Sequence, residues 1–303
     1  MLPYLAFTAL ALIWGASFLF IKLGVHDMSP TVLVLVRSAA GAIALAVLMI
    51  LTGRRLAGHD WGRRLWLFAF MAVTNALVPW VAIAWGEQHI SSGLASVLNS
   101  TTTLWTAILI YWVVPAERPT ALNYAGVLVG LAGVIVLVLP DLIAHGISGS
   151  VLGALAVVAA AFSYAVSALF QRTRMRGMNL YEQSFGQLAM SALIAIPFAA
   201  PAIPAVHLAA LSMGAVIALG VGGSAIAYLL YYYTMNTLGA VRATGVTFVV
   251  PVTAVFWGVV LLRESITAVA AIGMVVIMAG VVLTNIRRAA ARPVVAERDS
   301  AVA

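Results

Sequence analysis

The stretch Trp14-Gly15-Ala16-Ser17-Phe18-Leu19-Phe20-Ile21-Lys22 is matched, 150 positions later, by Tyr164-Ala165-Val166-Ser167-Ala168-Leu169-Phe170-Gln171-Arg172. Aromatic residue aligns with aromatic residue, serine with serine, Leu-Phe with Leu-Phe, and cation with cation. A second match, at a shift of 147, aligns the segment from Gly126 to Val134 with the segment from Gly273 to Val281. The two matches indicate that the chain is built from two repeats, an arrangement found in many secondary transporters.

The composition indicates a protein that is surrounded by lipid. Hydrophobic residues make up 64% of the chain and charged residues 8%, and the mean hydropathy is +1.09. A soluble domain has roughly 45–50% apolar and about 25% charged residues. The chain has no cysteine, which excludes a disulfide framework, a thiol nucleophile and a thiolate metal site. We expect no cofactor and no bound metal.

Ten apolar runs follow one another along the chain, each near the ~20 residues that cross a bilayer. They cover residues 3–23, 30–51, 65–86, 91–114, 120–139, 150–170, 181–200, 208–233, 239–262 and 267–286. The predicted fold is therefore an all-α membrane protein of ten transmembrane helices, with five in each half. We divide the chain into a first repeat (1–140), a second repeat (141–288) and a disordered cytoplasmic tail (289–303).

The distribution of Lys and Arg predicts the orientation. With the loops assigned to alternate sides, one side receives Arg54, Arg55, Arg63, Arg64, Arg118, Arg172, Arg174, Arg176, Arg242, Arg287, Arg288, Arg292 and Arg298. Lys22 and Arg263 fall on the other side, and Arg37 lies within a span. Loops rich in Lys and Arg stay in the cytoplasm, so we expect a multi-pass protein of the bacterial inner membrane with both termini cytoplasmic.

The same assignment bears on partners and topology. Basic loops facing anionic lipid head groups explain the net charge of +7 without nucleic acid. The lipid bilayer is therefore an expected partner, and nucleic acid is not. Five helices per half, an odd number, insert the second half upside down relative to the first.

The opening Trp14-Gly15-Ala16-Ser17, Arg37 in helix two, and glutamates Glu117 and Glu264 closing helices four and nine resemble the drug/metabolite transporter superfamily. Within it, the chain is most similar to the ten-helix EamA type and, more narrowly, to YddG-like exporters of aromatic and neutral amino acids. The resemblance implies a basket of helices one to four and six to nine around a central cavity, with helices five and ten outside. The mid-helix proline that the family often has in both halves is present only as Pro251.

Polar residues at helical spacing within the spans predict which side chains face this cavity. Because lipid cannot satisfy such groups, they must face protein or water. The predicted substrate-binding residues are Trp14, Ser17, Asn75, Pro79, Trp80, Ser96, Asn99, Thr103, Tyr164, Ser167, Ser224, Tyr228, Thr247 and Pro251. The alternative for each hydroxyl is packing between helices, where Ser and Thr are common.

The charged residues near the spans leave two alternatives open. Arg37 lies deep enough in helix two to be costly unless it is paired. It is interpreted either as the partner of a substrate carboxylate or as a structural partner of backbone carbonyls or of Glu87. No Asp or Glu lies in the middle third of any helix. Transport is therefore either uncoupled or coupled through groups such as Arg37 or a carboxylate at a helix end.

The sequence favours an alternating-access transporter that exports small amphipathic metabolites, with neutral and aromatic amino acids first, as an uncoupled facilitator. A proton-coupled exporter of lipophilic cations is the alternative, since aromatic faces attract cations. An intramembrane enzyme is a remote alternative, because the chain lacks HExxH, paired intramembrane aspartates and a Gly-x-Ser-x-Gly elbow. A channel is the third class of function that the sequence leaves open.

Glycines on helices five and ten bear on oligomeric state. They are Gly126, Gly130, Gly133, Gly273 and Gly280. Small residues allow membrane helices to approach closely. A small-molecule substrate is the expected partner, and the chain is expected to be a monomer or a weak homodimer through these glycine faces.

Overall fold

The computed structural model describes residues 2–54, 56, 60–113, 119–175, 177–206, 209–238 and 246–286. Within them the chain forms ten helices. These are α1 (Leu2–Gly24), α2 (Pro30–Leu51), α3 (Trp61–Gly86), α4 (Ser92–Val113), α5 (Ala121–His145), α6 (Gly149–Arg174), α7 (Leu180–Ala199), α8 (210–238), α9 (Val246–Leu262) and α10 (Ala268–Asn285). Eight are long and apolar enough to cross a membrane, and α9 and α10 contain shorter apolar helices. The predicted all-α membrane fold is confirmed. Glu117 and the predicted tail, 289–303, lie outside the described residues.

Side-chain caps explain where many of the helices begin. The caps are Ser29, Ser91, Thr120, Ser148, Asn179 and Thr267, each accepting a hydrogen bond from a backbone N–H two or three residues later. Such a bond satisfies one of the N–H groups that a helix start leaves free. In a bilayer an N–H group without a hydrogen-bond partner is more costly, because no water reaches it from the lipid side.

The end of α5 differs from the prediction. The helix continues through Pro140 to His145 and ends at Gly146, whose φ is +66°. Glycine adopts this left-handed region without steric cost. The predicted boundary between repeats, at 140, therefore falls inside a helix, and the turn that follows α5 starts at Gly146.

The main contacts between helices show the relation between the two halves, in which α1 to α5 correspond to α6 to α10. When each helix is replaced by its counterpart in the other half, the contact α1–α8 becomes α6–α3, α1–α9 becomes α6–α4, and α2–α8 becomes α7–α3. The contacts α2–α7, α4–α9 and α5–α10 each join a helix to its own counterpart. Such a map is expected of two similar halves related by a twofold axis. With five helices in each half, the second half is inverted relative to the first.

Helices α5 and α10 stand outside the bundle and pack closely on each other through glycines. A Cβ atom built on Gly126 would lie 2.8 Å from the carbonyl oxygen of Gly280, and one on Gly133 would lie 2.7 Å from the backbone nitrogen of Ile277. These glycine faces are therefore occupied within one chain. A homodimer through them, one of the two expected oligomeric states, would need other residues of α5 and α10.

Three helices depart from regular α geometry beside the centre of the bundle. Helix α3 has a π-helical segment at Val73–Leu77, and α8, its counterpart in the second half, has one at Leu219–Ile226. Helix α4 is interrupted between Asn99 and Thr102. There Ser100 Oγ and Thr101 Oγ1 each donate to the carbonyl oxygen three residues earlier, at 2.6 Å. Such side-chain bonds compete with the regular backbone hydrogen bonds of a helix. They accompany the interruption of α4, which has no proline at the place where its counterpart α9 has Pro251.

Candidate functional site

A central cavity of about 320 Å³ lies among the helices of both halves. Its lining comes from α1 to α4 and α6 to α9, and the described parts of α5 and α10 contribute nothing to it. The basket that the family resemblance implied is therefore confirmed. Sequence-predicted residues that line the cavity are Trp14, Ser17, Arg37, Asn75, Trp80, Ser96, Asn99, Thr103, Tyr164, Ser167, Tyr228, Thr247 and Pro251.

Two predicted site residues, Pro79 and Ser224, are buried but do not line the cavity. Both predictions assumed regular α spacing. In a π-helical segment the hydrogen bonds run from i to i+5, so residues five apart share a face. Asn75 and Trp80, five apart, thus line the cavity together, and so do Gly223 and Tyr228. One extra residue in each helix moves the predicted position off the cavity face.

Asn75 links α3 to three helices of the second half. Its Nδ2 donates to Gln187 Oε1 at 3.2 Å and to the Tyr228 hydroxyl at 3.3 Å, while Ser167 Oγ donates to its Oδ1 at 3.0 Å. The π-helical segment of α3 places Asn75 at this junction. The side chain therefore connects the two repeats at the cavity wall.

Gln187 is a cavity residue that the sequence reasoning missed. It lies on α7, where Gln183, Gln187 and Ser191 follow at steps of four and are all buried. A polar stripe inside an apolar span was the available signal. Gln171 and Tyr231 also line the cavity without having been among the predicted substrate-binding residues.

Arg37 is only 6% exposed and lies at the cavity wall. Its Nε donates to Ser224 Oγ at 3.1 Å, and its guanidinium carbon lies 3.6 Å from the centroid of the Trp80 ring. Among the described residues no carboxylate forms an ion pair with it. The pairing with Glu87, one of the alternatives for Arg37, is thus not formed. Ser224 bonds one edge of the guanidinium and Trp80 covers one face, and none of the described residues forms a hydrogen bond with its terminal nitrogens.

The close approach of α2 and α8 explains how Ser224 reaches Arg37. A Cβ on Gly41 would lie 2.9 Å from the carbonyl oxygen of Gly220, and a Cβ on Gly220 would lie 2.5 Å from that of Arg37. Glycine at both positions lets the two backbones touch. The short hydroxyl of Ser224 then spans the remaining distance.

Aromatic rings form much of the remaining wall. Trp14 and Tyr231 lie with ring centroids 5.5 Å apart, and Trp80 and Tyr164 also line the cavity. Among the described lining residues Arg37 is the one with a permanent charge, and none is acidic. A wall of this kind suits a small solute with an apolar side chain and an anionic group.

The cavity is accessible at one end of the bundle and sealed at the other. We call the end that carries Arg54, Arg64 and Arg172 the basic end, and the end that carries Glu87 and Glu264 the opposite end. Of the described cavity residues toward the basic end, Ala168 and Thr247 are exposed and Gln171 is partly exposed, whereas Ile21, Ile83 and Ser96, toward the opposite end, are buried.

Polar contacts, some between the two repeats and some within the first, seal the opposite end. The Glu264 carboxylate accepts hydrogen bonds from Ser92 N at 2.8 Å, Ser92 Oγ at 3.0 Å and Gly93 N at 3.3 Å. These N–H groups belong to the first turn of α4, where a helix is left with free donors and a partial positive charge. Lys22 Nζ donates to the main-chain oxygens of Glu87 and Ile90. The contacts hold α1 against the turn between α3 and α4, and hold the segment after α9 against the first turn of α4.

Comparison with known proteins gives a consistent result over the length of the chain. A family model described as "EamA-like transporter family" matches residues 1–139 and 151–286. The chain is 28% identical over 299 residues to "Uncharacterized inner membrane transporter YedA" of Escherichia coli (strain K12), covering 96% of this chain and 94% of that protein. It is 23% identical over 284 residues to "Uncharacterized transporter YoaV" of Bacillus subtilis (strain 168), with 93% and 96% covered.

Two further matches concern a named substrate and the fold. The "Probable terminal-alkyne amino-acid exporter" of Streptantibioticus cattleyicolor is 28% identical over 280 residues, with 90% of each chain covered. A solved crystal structure superposes with a TM-score of 0.63 at 22% sequence identity, covering 93% of this chain and 96% of the other. The latter match shows a shared fold.

Proposed function

Since this chain belongs to the EamA-like transporter family, we propose that it exports small amphipathic solutes, neutral and aromatic amino acids first among them, by alternating access. The observation that carries the substrate class is Arg37, held on two sides by protein and open to an aromatic cavity without acidic residues. A guanidinium binds a carboxylate through paired charge-assisted hydrogen bonds. The apolar rings accommodate the amino acid side chain. A narrower relation to YddG-like exporters is part of this proposal.

The arrangement of the two ends supports alternating access. A cavity that opens at the basic end and is closed at the opposite end is one of the two states that such a transporter must adopt. We infer from the basic loops that the basic end and both termini are cytoplasmic. The membrane is then the bacterial inner membrane, in line with the name of the E. coli relative. On this inference, closure of the opposite end corresponds to a cytoplasm-facing state that can load solute.

The test is counterflow in liposomes containing the purified protein. Labelled phenylalanine, methionine and threonine are offered together with a lipophilic cation, with and without a proton gradient. We expect saturable amino acid exchange whose final distribution does not depend on the gradient. Cation flux that follows the proton gradient would instead support the alternative, a proton-coupled exporter of lipophilic cations, and flux that does not saturate would support a channel.

Replacing Asn75 with alanine should lower phenylalanine counterflow by about tenfold. The change removes three hydrogen bonds that join α3 to α6, α7 and α8, each worth about 0.5–1.5 kcal/mol net. The purified variant should still elute as a single folded species. Thr74→Ala is the matched control, because among the described residues the Thr74 hydroxyl bonds only to Phe70 O of its own helix, at 2.8 Å. Equal rates in the two variants would show that the cavity is not the transport site.

A further inference from the structure

Glu87 is a charged side chain that the cavity does not use. It follows the last residue of α3, is 0% exposed, and neither of its carboxyl oxygens has a hydrogen-bond partner among the described residues. An ionised carboxylate left in this state carries a large desolvation cost, which a neutral carboxylic acid avoids.

The groups around Glu87 do not supply a partner for its carboxyl group. Lys22, from α1, donates to the main-chain oxygen of Glu87 and to that of Ile90. The carboxylate of Glu264, which follows α9, already accepts hydrogen bonds from the first turn of α4. His89, in the same turn as Glu87, packs against Trp85 with ring centroids 4.7 Å apart.

The neighbouring helices offer little more. Arg37, on α2, acts on Glu87 only through its electric field. Helix α6 meets this end of α3 where a Cβ on Gly86 would lie 2.9 Å from the carbonyl oxygen of Gly153, and residues 149–157 of α6 contain no titratable side chain. The carboxyl group is therefore enclosed without a matching cation at hydrogen-bond distance.

Burial is the main influence on this carboxyl group and raises the pKa of Glu87 well above its usual value. The charge of Glu264 acts in the same direction, whereas those of Lys22 and Arg37 lower the pKa. The closed arrangement therefore favours the protonated, neutral form of this carboxyl group over the ionised form.

Glu87 lies within the layer that must part for the solute to leave. Ile83, one helical turn earlier on α3, lines the cavity, as does Ile21 beside Lys22 on α1. At the same end are the contacts of Glu264 with Ser92 that seal it. Opening this layer admits water to Glu87 and removes the cost of ionising it.

We propose that Glu87 is a proton-binding site, occupied by a proton while the opposite end is closed and emptied into the medium at that end when it opens. This inference rests on the alternating access proposed above. Opening releases one proton and closing takes one up from the same side, so no net proton transport results. The closed form binds the proton more tightly, so acid at the opposite end favours closure and alkali favours opening.

Infrared spectroscopy of the purified full-length protein tests proton occupancy without any substrate. The wild type should show the C=O stretch of a protonated carboxylic acid, persisting above the pH at which an exposed glutamic acid ionises, because burial disfavours the charged form. Glu87→Gln, which replaces the carboxylic acid by an amide of nearly the same size, should lose this band. Glu264→Gln removes a carboxyl group that already accepts three hydrogen bonds and should keep it. A band that is absent from the wild type, or unchanged in Glu87→Gln, overturns the proposal.

Exchange measurements test the link to closure. Raising the pH on the opposite side should slow counterflow severalfold in the wild type, because closing then lacks its proton, and should leave Glu87→Gln unaffected. A wild type that transports amino acids with no such pH dependence contradicts the inference while leaving the proposed function intact. If amino acids are not transported at all, the proposed function fails, and the infrared band still decides whether Glu87 holds a proton.

Discussion

Arg37→Gln is expected to weaken the apparent affinity for amino acids by about 10- to 100-fold. The change removes the charged partner of the substrate carboxylate, and a hydrogen bond to a charged group is worth about 1.5–3 kcal/mol. Each 1.4 kcal/mol corresponds to a factor of ten in affinity. The measurement is the concentration dependence of phenylalanine counterflow. The same loss should be absent for phenylalanine amide, which has no carboxylate to pair with the guanidinium.

Two further variants separate this role from a general effect of charge. Arg37→Lys keeps a cation but loses the Nε donor to Ser224 and the planar stack on Trp80, so an intermediate affinity is expected. Arg63→Gln removes an exposed arginine from the first turn of α3 and should behave as the wild type. If Arg37→Gln weakened phenylalanine and its amide equally, Arg37 would be a structural residue rather than a carboxylate ligand.

Gly280→Ala is expected to cause the largest loss of stability among single-methyl changes between α5 and α10. A Cβ at this position would lie 2.5 Å from Gly130 Cα and 2.7 Å from Gly126 O. Both are backbone atoms, which cannot turn aside as a side-chain end can, so the helices must move apart. Overpacking typically costs about 1–3 kcal/mol. Thermal unfolding of the detergent-solubilised protein should show a melting temperature lower by several degrees.

Gly214→Ala is the matched control for this prediction. Its Cβ would meet no atom within 4 Å, and the position lies in the first part of α8. In a helix interior alanine is favoured over glycine by about 1 kcal/mol, so this variant should be as stable as the wild type or slightly more so. Equal melting temperatures for Gly280→Ala and the wild type would show that α5 and α10 do not pack as described.

The ten helices could be predicted from the sequence because apolar length is a direct requirement of the bilayer. Their arrangement around the cavity followed from the family resemblance, and most predicted cavity residues followed from polar spacing. Pro79 and Ser224 were misplaced because the sequence gives no sign that α3 and α8 each contain an extra residue per turn near the centre. A regular helix is the only geometry that residue spacing alone can assume.

Glu87 shows a second reason why part of the structure could not be predicted from the sequence. Its position after α3 indicated a group at a membrane surface, where a carboxylate is hydrated. The groups that surround it come from α1, α6 and the segment after α9, which are distant in sequence. Contacts of this kind depend on how the two halves close on each other, and that arrangement cannot be deduced from the residues of one helix. The role of each cavity residue in binding stays a prediction until the variants are measured.

The π-helical segment of α3 makes the cavity wall tolerant of one change in chain length. From Asn75 to Trp80, five residues make the turn that about four residues make in a regular α-helix, so both side chains face the cavity. Deleting one residue between them would restore regular α geometry and leave the tryptophan, then four positions after the asparagine, beside Arg37. The same deletion in a regular part of the helix would remove a residue that is not extra, and would turn the positions on its two sides by about 100° relative to each other.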